Sequence, residues 1–290
     1  MAEWLNTLLQ GLLLGGLYSL FATGLALSFG VMRMINIAHG DFAILAAFVA
    51  IAVVEPLGLN PFVVLLLIVP LMGGFGYLLQ RLILNRTLGQ DILPPLLVTF
   101  GFGIIIQNLL LVMFSADTRS LDIGALGTAS VALGGDVAVG VLPLIVMAVA
   151  VAVLAGLQWL FAATPLGRAF RAASDDSEAA QLMGIDNRHI YALAMAIAMA
   201  IVAIAGVFLA IRANIAPTDG PARLLYAFEA VIIGGLGSLW GTLAGGIILG
   251  VAQAIGLKAD PGWGILAGHL AFLAVLVIRP NGLFARTRER

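Results

Sequence analysis

The sequence has no cysteine, which excludes disulfides, thiolate metal sites and thiol catalysis. Charge is almost as scarce, with 14 basic and 15 acidic side chains in 290 residues. Soluble domains carry about 25% charged residues, and at 10% this chain cannot cover a water-facing surface. Lys258 is the single lysine, and no G-x-x-x-x-G-K-[ST] phosphate loop occurs. A nucleotide site of that kind must therefore come from another chain if one is needed. His39, His189 and His269 are scattered, which argues against a metal site. A net charge of −1 gives no reason to expect nucleic acid as a partner. The start, Met1-Ala2-Glu3-Trp4, lacks the basic region of a cleaved signal peptide, so the first apolar stretch is expected to remain as a span.

What is present is apolar: 62% of the residues, with a mean hydropathy of +1.11. Runs of about 18 apolar residues or more mark membrane spans. Hydropathy places spans at 5–28, 37–54, 61–80, 93–114, 137–162, 190–212 and 263–279. As one helix, 222–256 would be about 51 Å long, against a hydrocarbon core of about 30 Å. Gly234, Gly235, Gly237 and Gly241 lie in its centre, so two segments are expected, 222–237 and 241–256. With two crossings, Arg33, Arg81, Arg86, Arg168, Arg171, Arg188, Arg279, Arg286, Arg288 and Arg290 share one side, opposite Arg119, Arg212, Arg223 and Lys258. The positive-inside rule prefers that asymmetry to an even split. The 81–90 loop, the 164–189 loop and the C-terminal tail are thus expected in the cytoplasm. The expected fold is an all-α polytopic membrane protein of about eight transmembrane helices with broken or re-entrant segments. A single transmembrane domain over 1–290 is expected, with an inverted repeat as an open possibility.

Glycines four apart, Gly11 and Gly15, Gly241 and Gly245, and Gly246 and Gly250, suit close helix approach within lipid. Their spacing leaves open whether that contact is internal or between subunits.

The loop 164–189 is unusual for its charge: Arg168, Arg171, Asp175, Asp176, Glu178, Asp186 and Arg188. Ser174 or Asp175 suits a helix cap, Asp176 and Glu178 suit its first turn, and Gly184 its end. Ala179, Leu182 and Met183 then share one face. A lipid-surface helix normally carries basic residues on its polar face, so this acidic one fits a protein groove better.

Polar groups inside a membrane are costly, which makes them candidates for a transport pathway. Asn36, His39, Gly40 and Asp41 cluster before the second span, where Asp41 is expected to cap the helix. Glu229 enters the glycine-rich break at Gly234 and Gly235, with Arg212 and Arg223 nearest in sequence as partners. Gln107, Asn108 and Gln253 are expected to bond between helices.

Glu178-Ala179-Ala180 followed by Gly184 resembles the EAA loop of ABC-importer permeases, which docks on the ATPase subunit. "MINIAHGDFAILAAFVA" (34–50), "FEAVIIGGLGSLWGTLAGGIILGVAQ" (228–253) and "RPNGLFA" (279–285) resemble segments of branched-chain amino acid permeases, in length the shorter, LivH-like type. The resemblance implies a permease subunit in the bacterial inner membrane, surrounded by lipid. It implies a second permease subunit, LivM-like or an identical copy, two cytoplasmic ATPase subunits that use ATP and magnesium, and a periplasmic binding protein. This chain itself is expected to bind no cofactor and to catalyse no reaction. Urea or short amides are the alternative solutes. A secondary transporter with Glu229 as proton carrier is the alternative class, and an intramembrane enzyme would need a nucleophile or metal set that the spacing does not supply.

Overall fold

The computed structural model describes residues 2–89, 91, 93–134 and 137–284. The expected placement of Arg286, Arg288 and Arg290 lies outside them. The described elements are helices α1 (Ala2–Met32), α2 (His39–Leu57), α3 (Pro61–Leu82), α4 (Leu93–Phe114), α5 (Ala125–Thr128), α6 (Val141–Ala163), α7 (Pro165–Asp175), α8 (Ser177–Leu182), α9 (Asn187–Arg212), α10 (Gly220–Gly234), α11 (Leu239–Ala259) and α12 (Trp263–Ile278). A hairpin of β1 (Ser130–Gly134) and β2 (Val137–Gly140) precedes α6. Among the described residues, seven helices are long and apolar enough to cross a membrane. The chain is an all-α polytopic membrane protein apart from that hairpin.

The hairpin corrects the start of the expected fifth span. Val137 and Val139 are buried while Ala138 is exposed, the period-two pattern of a strand. The backbone N–H of Ala138 donates to the Asn6 side chain at 3.2 Å. The helix starts only at Val141, with Pro143 in its first turn, where a missing N–H costs nothing.

The chain forms two compact units. The first comprises Met1–Thr23, Asp122–Leu154 and Leu225–Arg290. Here the glycine pairs meet each other. A Cβ at Gly15 would lie 2.4 Å from Ile247 Cα, and one at Gly250 would lie 2.3 Å from the Gly11 carbonyl oxygen. The contact between Gly11/Gly15 and Gly246/Gly250 is therefore internal, α1 against α11. The break in 222–256 is also present. Gly235 and Gly237 take φ of 98° and 83°, and the Ser238 hydroxyl caps α11 by accepting from Gly241 N–H. α11 returns along α10, with Gly245 so close that a Cβ would lie 2.0 Å from the Ala230 carbonyl oxygen. α10 has 15 residues, which gives about 22 Å, less than the hydrocarbon core of about 30 Å.

The second unit comprises Gly24–Leu121 and Ala155–Leu224. Its central helix is α9, against which α2 and α3 pack. A Cβ at Gly206 would lie 2.1 Å from the Ala43 carbonyl oxygen, and one at Gly76 would lie 2.5 Å from Met199 Cγ. α3 and α4 leave Leu66, Leu97, Ile105 and Val112 exposed, the surface expected to face acyl chains. The connections sort to two ends. At one, Arg33 donates to Ser174 O, Arg81 pairs with Asp186 at 3.1 Å, and the Asn85 amide donates to Arg188 O. At the other, Arg119 pairs with Glu55 at 3.0 Å and bridges to Ile215 through the backbone. Arg33, Arg81 and Arg188 thus share one end and Arg119 lies at the other, as the charge count requires.

Candidate functional site

Three places concentrate polar chemistry. The first is the charged loop. α7 is capped by Thr164, which accepts from Gly167 N–H, and it buries Phe170 completely. It stops at Asp176, one residue past the expected cap, whose extended backbone separates it from α8. The Asp176 carboxylate accepts from the backbone N–H groups of Glu178 and Ala179, each at 3.0 Å. At the other end Gly184, at φ 86°, donates to Gln181 O, and Ile185 N–H donates to Ala180 O. Those two bonds close a Schellman motif and satisfy carbonyls left over by the helix. The Asn187 amide holds the start of α8 by donating to Ser177 O.

α8 turns Ala180 inward, where it is buried, and leaves Ala179, Leu182 and Met183 exposed. Leu182 and Met183 are 89% and 83% exposed outside the spans. Ala180 is therefore packed within the loop itself, and the outward apolar surface comes from the other three. A cavity of about 890 Å³ opens beside α8, lined among others by Arg33, Asn85, Asp91, Ser174, Glu178 and Arg188.

The second place is the start of α2. The side chain of Asp41 does not cap this helix. Only 3% exposed, it reaches across to α4 and accepts from the Gln107 amide at 2.8 Å. Gly103 and Gly220 give it room, since a Cβ at either would lie 2.6 Å or 1.9 Å from a carboxylate oxygen. A Cβ at Gly40 would lie 1.9 Å from the Gly220 carbonyl oxygen, so two backbones touch there. His39 is buried beside Gly24. Asn36 is fully buried and both polar atoms of its side chain lack a hydrogen-bond partner. Gln107 bonds between helices as expected, whereas Asn108 donates back to Ile104 O within α4.

The third place is Glu229 in α10. Its partner is neither Arg212 nor Arg223 but His269 of α12, whose Nδ1 meets Oε1 of Glu229. The other carboxylate oxygen is buried with no hydrogen-bond partner. Tyr226 stacks on His269 with centroids 6.3 Å apart, and Tyr18 lies 5.2 Å from Tyr226. The Tyr18 hydroxyl donates to Gln253 Oε1, an interhelical bond as expected. Proximity in sequence gives no hint of the pairing with His269, although an ionisable residue within an otherwise apolar helix is itself a signal. Gly234 is the last residue of α10 and Gly235 opens the turn after it, where Leu283 and Phe284 N–H groups donate to Ile233 O and Gly234 O. Among the described residues, no three His, Asp or Glu side chains gather as metal ligands would.

Comparison with known proteins decides the assignment. The profile of the family described as branched-chain amino acid transport system / permease component matches residues 7–278. The chain belongs to that family. This permease is 32% identical to the high-affinity branched-chain amino acid transport system permease protein BraD of Pseudomonas aeruginosa, over 98% of this chain and 96% of the relative. It is 25% identical to LivH of Escherichia coli K12, with the same coverage. Among solved structures, PsaBC from Streptococcus pneumoniae in complex with Fab shares the fold, at a TM-score of 0.52 and 17% identity, covering 97% of this chain and 96% of that one. The permease is a multi-pass inner-membrane protein and a LivH-like transport component.

Proposed function

We propose that this permease is one membrane subunit of an ATP-driven importer that carries branched-chain or related hydrophobic amino acids inward. The BraD and LivH names supply the solute class. ATP and magnesium are used by two cytoplasmic ATPase subunits, in keeping with the missing phosphate loop. A second permease subunit, LivM-like or identical, completes the membrane core, and a periplasmic binding protein delivers the amino acid. Asn36, His39, Gly40, Asp41 and Glu229 serve the pathway, with Gly234 and Gly235 shaping the turn behind Glu229.

The observation that carries the reading is the outward face of α8. Ala179, Leu182 and Met183 lie exposed on a helix outside the spans, capped at both ends and tied to α9. An isolated helix of 6 residues has no stability of its own, so the caps and ties hold this one in place to be bound. An amphipathic helix with that presentation fits a groove on a protein partner. Leu182→Asp leaves caps and spans untouched, so the variant should insert normally, yet lose both ATPase co-purification and uptake of labelled leucine. Full ATPase yield with normal uptake in Leu182→Asp would remove α8 as the docking element.

A further inference from the structure

The C-terminal ends of α1 and α7 satisfy each other. The last carbonyls of any helix lack intrahelical partners and carry the negative end of its dipole. The Ser174 hydroxyl, in the last turn of α7, donates to Gly30 O near the end of α1 at 2.7 Å. In return Arg33, directly after α1, donates from Nη2 to Ser174 O at 3.3 Å. Each helix end thus closes an orphan carbonyl of the other.

Arg33 makes this contact from an unfavourable backbone. Its φ is 53°, the left-handed region where glycine is the default residue. An arginine there carries backbone strain that glycine would avoid. Strain of this kind, held at a residue whose side chain bonds to the loop carrying α8, points to a use for that side chain.

The segment after Arg33 supplies the use. Residues 34–38 leave the surface at once: Met34, Asn36 and Ala38 are buried, and Ile37 N–H donates to the Thr99 hydroxyl of α4. They lead into His39, Gly40 and Asp41 at the start of α2. A displacement of α7 and α8 therefore has a hydrogen-bonded route to this segment that does not pass through α9.

We propose that Arg33 and Ser174 form a clasp that transmits movement of the α7–α8 loop to the 33–41 segment, so that they are positioning residues for transport. The proposal rests on α8 being the docking element. With the clasp open, the ATPase subunits still bind and hydrolyse, but hydrolysis is poorly converted into solute movement.

The test uses the whole complex in proteoliposomes, with leucine as the transported probe and ATP hydrolysis measured in parallel. In Ser174→Ala and Arg33→Gly the ATPase subunits should co-purify at wild-type yield. Leucine moved per ATP hydrolysed should fall several-fold in Ser174→Ala, which loses the neutral hydroxyl bond to Gly30 O, and about tenfold in Arg33→Gly, which loses the charge-assisted bond to Ser174 O. Arg33→Gly also relieves the left-handed backbone, so its thermal stability should hold or rise while coupling drops, which a merely structural role would not produce. Ser174→Thr keeps the hydroxyl and should restore the ratio. A wild-type ratio in both loss variants overturns the clasp, as does loss of ATPase binding in either. Failure of the docking reading shows separately, as retained ATPase in Leu182→Asp.

Discussion

At the scale of single residues, backbone proximity and buried charge decide what can change. Gly40 has no space for a side chain, because the obstacle is the Gly220 backbone and not a flexible group. Gly40→Ala should therefore cost about 1–3 kcal/mol or more, the range for overpacking, seen as a lowered melting temperature of the purified protein. Gly74→Ala, in α3 with nothing within 4 Å, is the control and should be neutral to slightly stabilising. Glu229→Gln keeps an acceptor for His269 while removing the charge. The variant should fold and assemble, yet take up leucine several-fold more slowly, and unchanged uptake would return Glu229 to a structural role. Single residues are also where the sequence is least informative. Glu229 is recognisable as exceptional, but its partner lies 40 residues away, and nothing in local spacing sets such a pairing. Asp41 is readable as a residue at a helix start, not as one that bonds to α4 instead.

At the scale of elements, legibility is high because hydropathy alone sets where a span must be. α4 is expected at 93–114 and is found there, and the glycine break between α10 and α11 falls where expected. The β1–β2 hairpin is hard to read because its alternation is only a few residues long and joins an apolar helix. Within the charged loop, Gly184 ends the helix as its residue type requires, while the inward turn of Ala180 depends on packing that the sequence does not display. Gly184→Val places a β-branched residue at φ 86° and should unravel the end of α8, measured as reduced ATPase co-purification with normal membrane insertion. Asp186 joins α8 to the start of α9, accepting from Arg188 and His189 N–H groups and from Arg81. The Arg81 hydrogen bond, foremost, holds its carboxyl below the ordinary carboxylate range. The folded state thus favours the charged form. This contribution is present above the unfolded pKa and is lost as pH falls through the lowered folded one. Asp186→Asn keeps the cap but not the ion pair, and both partners are partly exposed, so it should cost less than about 1 kcal/mol at neutral pH. The difference from wild type should vanish in acid melts below the carboxylate range.

At the scale of the whole molecule, the cysteine-free background makes sidedness directly measurable. Cysteine at Arg86 or Ser177 should react with an impermeant thiol reagent only from the cytoplasm, and cysteine at Asp117 only from the outside. Cysteine at Arg279 should label from the cytoplasm, and labelling from the outside would contradict separate crossings by α10 and α11. The meeting of Gly40 with Gly220 bears on how fast the permease can move at that point. A contact built from a side chain can open by a rotamer flip within about nanoseconds, whereas one built from touching backbones yields only to collective motion over about microseconds to milliseconds. Thermal jitter of side chains has nothing to act on at that point. Any separation of Gly40 from Gly220 therefore keeps step with movements of whole helices.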